Sequence, residues 1–118
     1  MPRSAAEEAA LRAAKARLDT LDLYPRPVVL RRTVRLLCTP WLFRLPWLRR
    51  FDGYTAWDLV FLRRPLAETS EGLIVHELCH VWQMQHRPIV MPLSYLYRGY
   101  ADNPYEVEAR RAASSTAA

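Results

Sequence analysis

A chain of 118 residues, 51% hydrophobic with four tryptophans, is long enough to bury a core and short enough to be one domain over 1–118, which excludes intrinsic disorder. The net charge is +5, but the arginines are scattered from Arg3 to Arg111 and fit no helix-turn-helix, RNP or zinc-finger pattern, so no nucleic acid partner is expected. No apolar run is long enough to span a membrane, no signal-peptide core opens the chain, and Cys38 and Cys79 form no C-x-x-C pair; the expectation is a cytoplasmic protein without a disulfide framework.

Ser4 to Leu23 reads as an Ala-rich helix. Ser4-Ala5-Ala6-Glu7 is a capping box, Leu11, Leu18 and Leu21 recur at helical spacing, and Tyr24-Pro25 stops it. The helix carries no chemistry and is expected to pack as a lid, a candidate for covering a cleft. Val28 to Leu37 is an apolar run broken by Arg31, Arg32 and Arg35, and fits strand and helix equally.

Thr39 to Phe51 interleaves Trp41, Phe43, Trp47 and Phe51 with Arg44, Arg49 and Arg50. One reading is an interfacial segment with a weak affinity for a membrane surface or an acidic partner. The favoured one is a short turn or helix, bounded by Pro40 and Pro46, that buries its aromatics, because Pro46 interrupts a continuous amphipathic helix. Asp52-Gly53 reads as a turn, and Thr55 to Leu62 as an edge strand closed by Arg63 and Arg64.

The next helix opens at Thr69 or Ser70, carries Glu71 in its first turn and ends before Pro88. Within it His76-Glu77-Leu78-Cys79-His80 has the H-E-x-x-H spacing. Residues four apart lie one turn from each other, so His76 and His80 can reach one zinc ion, whereas Glu77, rotated by about 100°, borders the place where a water needs a general base. Cys79 reads as a small packing residue rather than a thiolate ligand. His86 falls outside the spacing for a third histidine and belongs at the exposed helix end.

Leu93 to Tyr100 holds Tyr95, Tyr97 and Tyr100, any one a candidate to stabilise an oxyanion, with aromatic packing as the default role. Asn103 then caps a further helix with Pro104 at its first position, so Glu106 falls in the first turn. A catalytic zinc takes three protein ligands, and Glu106 completes a His/His/Glu set. Glu108 is the alternative ligand, and Glu106 also has the position of a capping-box carboxylate. Ala112 to Ala118 reads as a frayed tail.

The pattern H-E-L-x-H-V-x-Q followed by Glu106-Val107-Glu108-Ala109 resembles the gluzincin group of zinc metallopeptidases, over about residues 56–112. The resemblance implies an α+β fold, a mostly helical zincin-like domain with a small β-sheet and a metal-binding core of about 52–112. It also implies Zn2+ held by His76, His80 and Glu106, Glu77 as general base, and a peptide or protein substrate laid along the edge strand. Arg63 and Arg64 would then favour acidic substrate residues. The chain departs from the group at Arg110, where an Asp commonly orients a zinc histidine. The competing expectation is a catalytically inactive zinc-binding domain that acts in protein or membrane-surface interaction.

Overall fold

Ser4 starts the first helix as its residue type dictates, its hydroxyl accepting from the Glu7 backbone N–H at 3.1 Å. In the computed structural model, which describes residues 3–21, 30–100 and 103–115, this helix (α1) runs Ala5–Leu18. It ends short of Leu23, and the expected Tyr24-Pro25 stop lies outside the described residues. The Glu7 carboxylate is not turned back into a capping box. It is buried against the first strand, accepting from Arg35 Nε at 2.8 Å and from the Leu36 backbone N–H at 2.7 Å.

The ambiguous segment before Cys38 forms a strand, β1 (Arg35–Cys38); its start at Val28 and Val29 lies outside the described residues. Pro40–Arg44 is a 3₁₀ turn. Phe43 and Leu48 of this stretch are buried as the turn reading expects, whereas Trp41 and Trp47 remain 64% and 67% exposed.

The single edge strand expected over Thr55 to Leu62 is instead a hairpin of β2 (Gly53–Ala56) and β3 (Leu59–Leu62). Trp57 breaks it with φ 51°, in the left-handed region that a bulky residue seldom adopts. Two contacts hold it there: its backbone N–H meets Met84 Sδ at 3.0 Å, and its indole N–H donates to the Pro88 carbonyl at 3.1 Å. β3 is consequently the central strand of a mixed sheet in the order β1-β3-β2, parallel to β1 and antiparallel to β2, with Thr55 opposite Val60. The edges fall to β1 and β2. Arg63 is used structurally, donating to the Phe51 carbonyl at 2.9 Å and also bonding the Leu48 and Arg49 carbonyls.

Ser70 caps α2 (Glu71–His86) by accepting from the Leu73 N–H at 3.1 Å. A short helix, α3 (Val90–Arg98), follows. Its Pro92 sits in the first turn, where no intrahelical N–H is lost, and Gly99 ends it at φ 76°, a conformation costly for other residues. The last helix, α4 (Pro104–Ser115), starts from Asn103, whose Oδ1 accepts from the Tyr105 N–H at 2.9 Å. α4 also absorbs part of the expected tail, because Ala109 and Ala112 are buried.

α2 is the centre of this α+β arrangement, packing against α1, α4 and the sheet. Leu11 and Leu18 of α1, Val60 and Leu62 of β3, and Val75, Leu78 and Val81 of α2 share one core. Each such side chain contributes about 1.5–3 kcal/mol by leaving water. Ala14, Cys79, Ala109 and Ala112 are the small residues of that core, and they let the helices approach closely. Among the described residues no helix is long and apolar enough to cross a membrane.

Candidate metal centre

Helical spacing places His76 and His80 one turn apart on α2, their rings 5.0 Å apart at centroid and nearly perpendicular. The α2–α4 packing brings Glu106 to both. His76 Nε2 lies 2.8 Å from Glu106 Oε1, and His80 Nε2 lies 2.9 Å from Glu106 Oε2. The three residues offer ligand atoms all within 4.8 Å of one another, a spacing one cation can bridge. Glu106 therefore does not close a capping box.

The electrostatics match this convergence. Burial pushes the Glu106 carboxyl upward, but the close approach and charge of His76 and His80 outweigh it and hold the group well below the usual carboxylate range. Burial likewise pushes the His80 imidazolium down, and its bond to Glu106, with the charges of Glu77 and Glu106, turns the net shift upward. Glu106 Oε1 is buried and has no hydrogen bond of acceptable geometry even though His76 Nε2 is 2.8 Å away. Two imidazole nitrogens and a carboxylate converging within 4.8 Å are a donor set that one metal ion can share. The residues present fit a divalent cation.

Glu77 lies outside the ligand cluster and beside β2. Its Oε2 accepts from Thr55 Oγ1 at 2.5 Å. Gly53 packs closely against it: a Cβ at that position would lie 3.2 Å from Glu77 Cγ, so a larger residue would press on the Glu77 side chain. Glu77, His80 and Glu106 share a cavity of about 460 Å3 whose walls include Trp47, Phe51, Tyr54, Met84, Met91, Tyr95 and Tyr100. No residue of α1 lines it, so the expected lid over the cleft is corrected: α1 packs its Leu11, Ala14 and Leu18 into the core instead.

Tyr95 donates its hydroxyl to Glu106 Oε2 at 3.1 Å. Burial, followed by the negative charge of Glu106, pushes the phenols of Tyr95 and Tyr100 well up, so both stay protonated donors at neutral pH. The side chain of Tyr97 lies outside the described residues.

The remaining candidates fall elsewhere. Glu108 accepts from Gln83 Nε2 at 2.7 Å and is not one of the clustered residues. Cys79 is buried in the core, its thiol pushed up by burial and then by the charges of Glu108 and Glu106, a poor thiolate. His86 is exposed at the end of α2, with Nδ1 2.8 Å from the Trp82 carbonyl. Arg110 approaches Glu106 Oε1 at 3.8 Å and lies over the Tyr100 ring. Gln83 Oε1 lies 2.8 Å from His80 Nδ1. Gln83 and Thr55 are the contacts that sequence reasoning did not assign. Gln83 had a signal, since it stands three residues after His80, on the same face.

Comparison with protein-family models, with curated proteins and with solved structures gives no match.

Proposed function

We propose that this chain is a zinc-dependent peptidase with a zincin-like catalytic domain, hydrolysing peptide bonds of a peptide or protein substrate. The observation that carries the proposal is the convergence of His76, His80 and Glu106 within 4.8 Å, beside a separately held Glu77 in one cavity. Two imidazoles and a carboxylate, on two helices, suit zinc. When bound, zinc supplies a Lewis acid that activates water and polarises a carbonyl.

The chain's own residues divide the rest of the work. Glu77 has Oε2 engaged with Thr55, which leaves Oε1 to take a proton from a water in the cleft and return it to the leaving amine. β2 lines the cavity through Gly53, Tyr54 and Thr55 and is a sheet edge, so an extended substrate can add to it as a further strand. Tyr95 and Tyr100 line the same cavity; the Tyr95 hydrogen is given to Glu106, so either phenol would have to leave that carboxylate, once a metal holds it, to donate to an oxyanion. The largely aromatic and thioether walls give an extended substrate apolar surface to pack against.

One observation favours a second reading. Trp41 and Trp47 are exposed with Arg44 and Arg49 beside them, a surface suited to a partner or an anionic membrane, as in a metal-holding domain without turnover. The Glu77→Gln variant separates the two. With zinc loaded and unstructured peptides as substrate, the peptidase reading expects wild-type protein to cleave and Glu77→Gln to lose about 10²–10⁴-fold in turnover while keeping its zinc. Undiminished cleavage by that variant contradicts the peptidase reading.

A further inference from the structure

Gln83 is 2% exposed and makes three short polar contacts. Its Oε1 lies 2.8 Å from His80 Nδ1, while its Nε2 lies 2.7 Å from Glu108 Oε1 and 2.9 Å from the Tyr105 carbonyl. An ionised carboxylate and a carbonyl only accept, so the group facing both is the amide NH₂, and its two hydrogens are both used. Turned the other way, the amide would set its oxygen against two acceptors. Its orientation follows from chemistry rather than from the similar shapes of O and N.

The Gln83 oxygen then faces His80, and because it too only accepts, His80 carries a hydrogen on Nδ1. The other ring nitrogen, Nε2, lies 2.9 Å from Glu106 Oε2, an acceptor, and unless it carries a hydrogen it is an acceptor too. Two acceptors at that separation need a cation or a proton between them. The Glu108 carboxylate polarises the amide and strengthens Oε1 as an acceptor.

We propose that Gln83, fixed by Glu108 and the Tyr105 carbonyl, is a positioning residue that holds His80 in the Nδ1–H tautomer with Nε2 turned to Glu106. Glu108 thereby serves the centre from α4 through Gln83, without being a ligand. The consequence for metal affinity rests on the metal-centre reading above; the tautomer does not.

Two readouts test it, neither of them activity. The first is the ring ¹⁵N signature of His80 in metal-free protein at mildly alkaline pH. The second is zinc affinity by competition with a chromophoric chelator. Wild type is expected to show hydrogen on Nδ1. Gln83→Leu is expected to populate the other tautomer and to bind zinc about 10–100-fold more weakly, still at one site per chain. Glu108→Gln, a near-isosteric change that also serves if Gln83→Leu fails to fold, is expected to weaken zinc severalfold in the same direction. A wild-type His80 without hydrogen on Nδ1, or zinc affinity unchanged in folded variants at both positions, overturns the proposal. Zinc binding insensitive to His80→Ala would instead sink the metal-centre reading, and the tautomer would still decide the role of Gln83.

Discussion

Thr55→Val isolates how much the peptidase reading depends on holding Glu77. The substitution exchanges a hydroxyl for a methyl of nearly the same shape, in a strand position that β-branched residues favour, so it opens no cavity. What it removes is a hydroxyl, on a side chain 6% exposed, that donates to Glu77 Oε2 at 2.5 Å and lies 3.1 Å from the Glu77 carbonyl, on a residue 5% exposed. A hydrogen bond to a charged acceptor contributes about 1.5–3 kcal/mol. If that energy serves to orient the base, kcat/KM falls roughly 10- to 150-fold at about 1.4 kcal/mol per decade, mostly in kcat. Zinc content is expected to stay at the wild-type level, because Thr55 touches none of the ligands. Thr55→Ser keeps the hydroxyl and is expected to retain most of the activity. Initial rates on an unstructured fluorogenic peptide, with zinc measured on the same samples, give the comparison. Wild-type kcat/KM in a folded, zinc-replete Thr55→Val would refute the role assigned to this contact.

Two further predictions concern stability. Asn103 is fully buried; its Oδ1 caps α4 at 2.9 Å and its Nδ2 donates to Ser94 Oγ at 2.8 Å, so Asn103→Ala is expected to cost roughly 2–4 kcal/mol in urea unfolding. A change under about 0.5 kcal/mol would show that the cap carries no weight. For Glu7, burial raises the carboxyl, but Arg35, with the Leu36 and Ser4 backbone bonds, outweighs it and sets the folded value below the ordinary 4.5. Its contribution is thus present above that ordinary value and fades as pH falls through the lowered one. Glu7→Gln is expected to cost roughly 1–2 kcal/mol at neutral pH. The gap between variant and wild type should shrink in acid, and a gap that widens there would contradict the assignment.

The parts legible in the sequence were those fixed by local rules. Ser4, Ser70 and Asn103 each cap the helix that their residue types announce, and the His76–His80 spacing carries its own geometry wherever a helix forms. Glu106 was legible one step further out, because Asn103-Pro104 fixes its place in the first turn of α4.

The rest depends on tertiary contacts. The hairpin between β2 and β3 turns on Trp57 at φ 51°, and its supports, Met84 and Pro88, are far along the chain. No residue-type rule puts a tryptophan there. α3 opens on an uncapped Ile89 and carries Pro92, signals that argue against a helix, and is held by Met91 and Ser94 packing inward. Glu7 shows the same limit in reverse: its capping-box place is real, yet β1 supplies better donors to its carboxylate. The bond from Gln83 to Glu108 spans 25 residues and exists only once α2 packs on α4.

The measurement that tests the account most directly is metal content. Wild type, His80→Ala and Glu106→Ala are loaded with zinc, freed of excess and analysed by elemental spectrometry. The account predicts about one zinc per chain in wild type and its loss in both variants, each still folded by circular dichroism. Wild type that retains no zinc, or variants that keep a full equivalent, would contradict the metal centre and the function built on it.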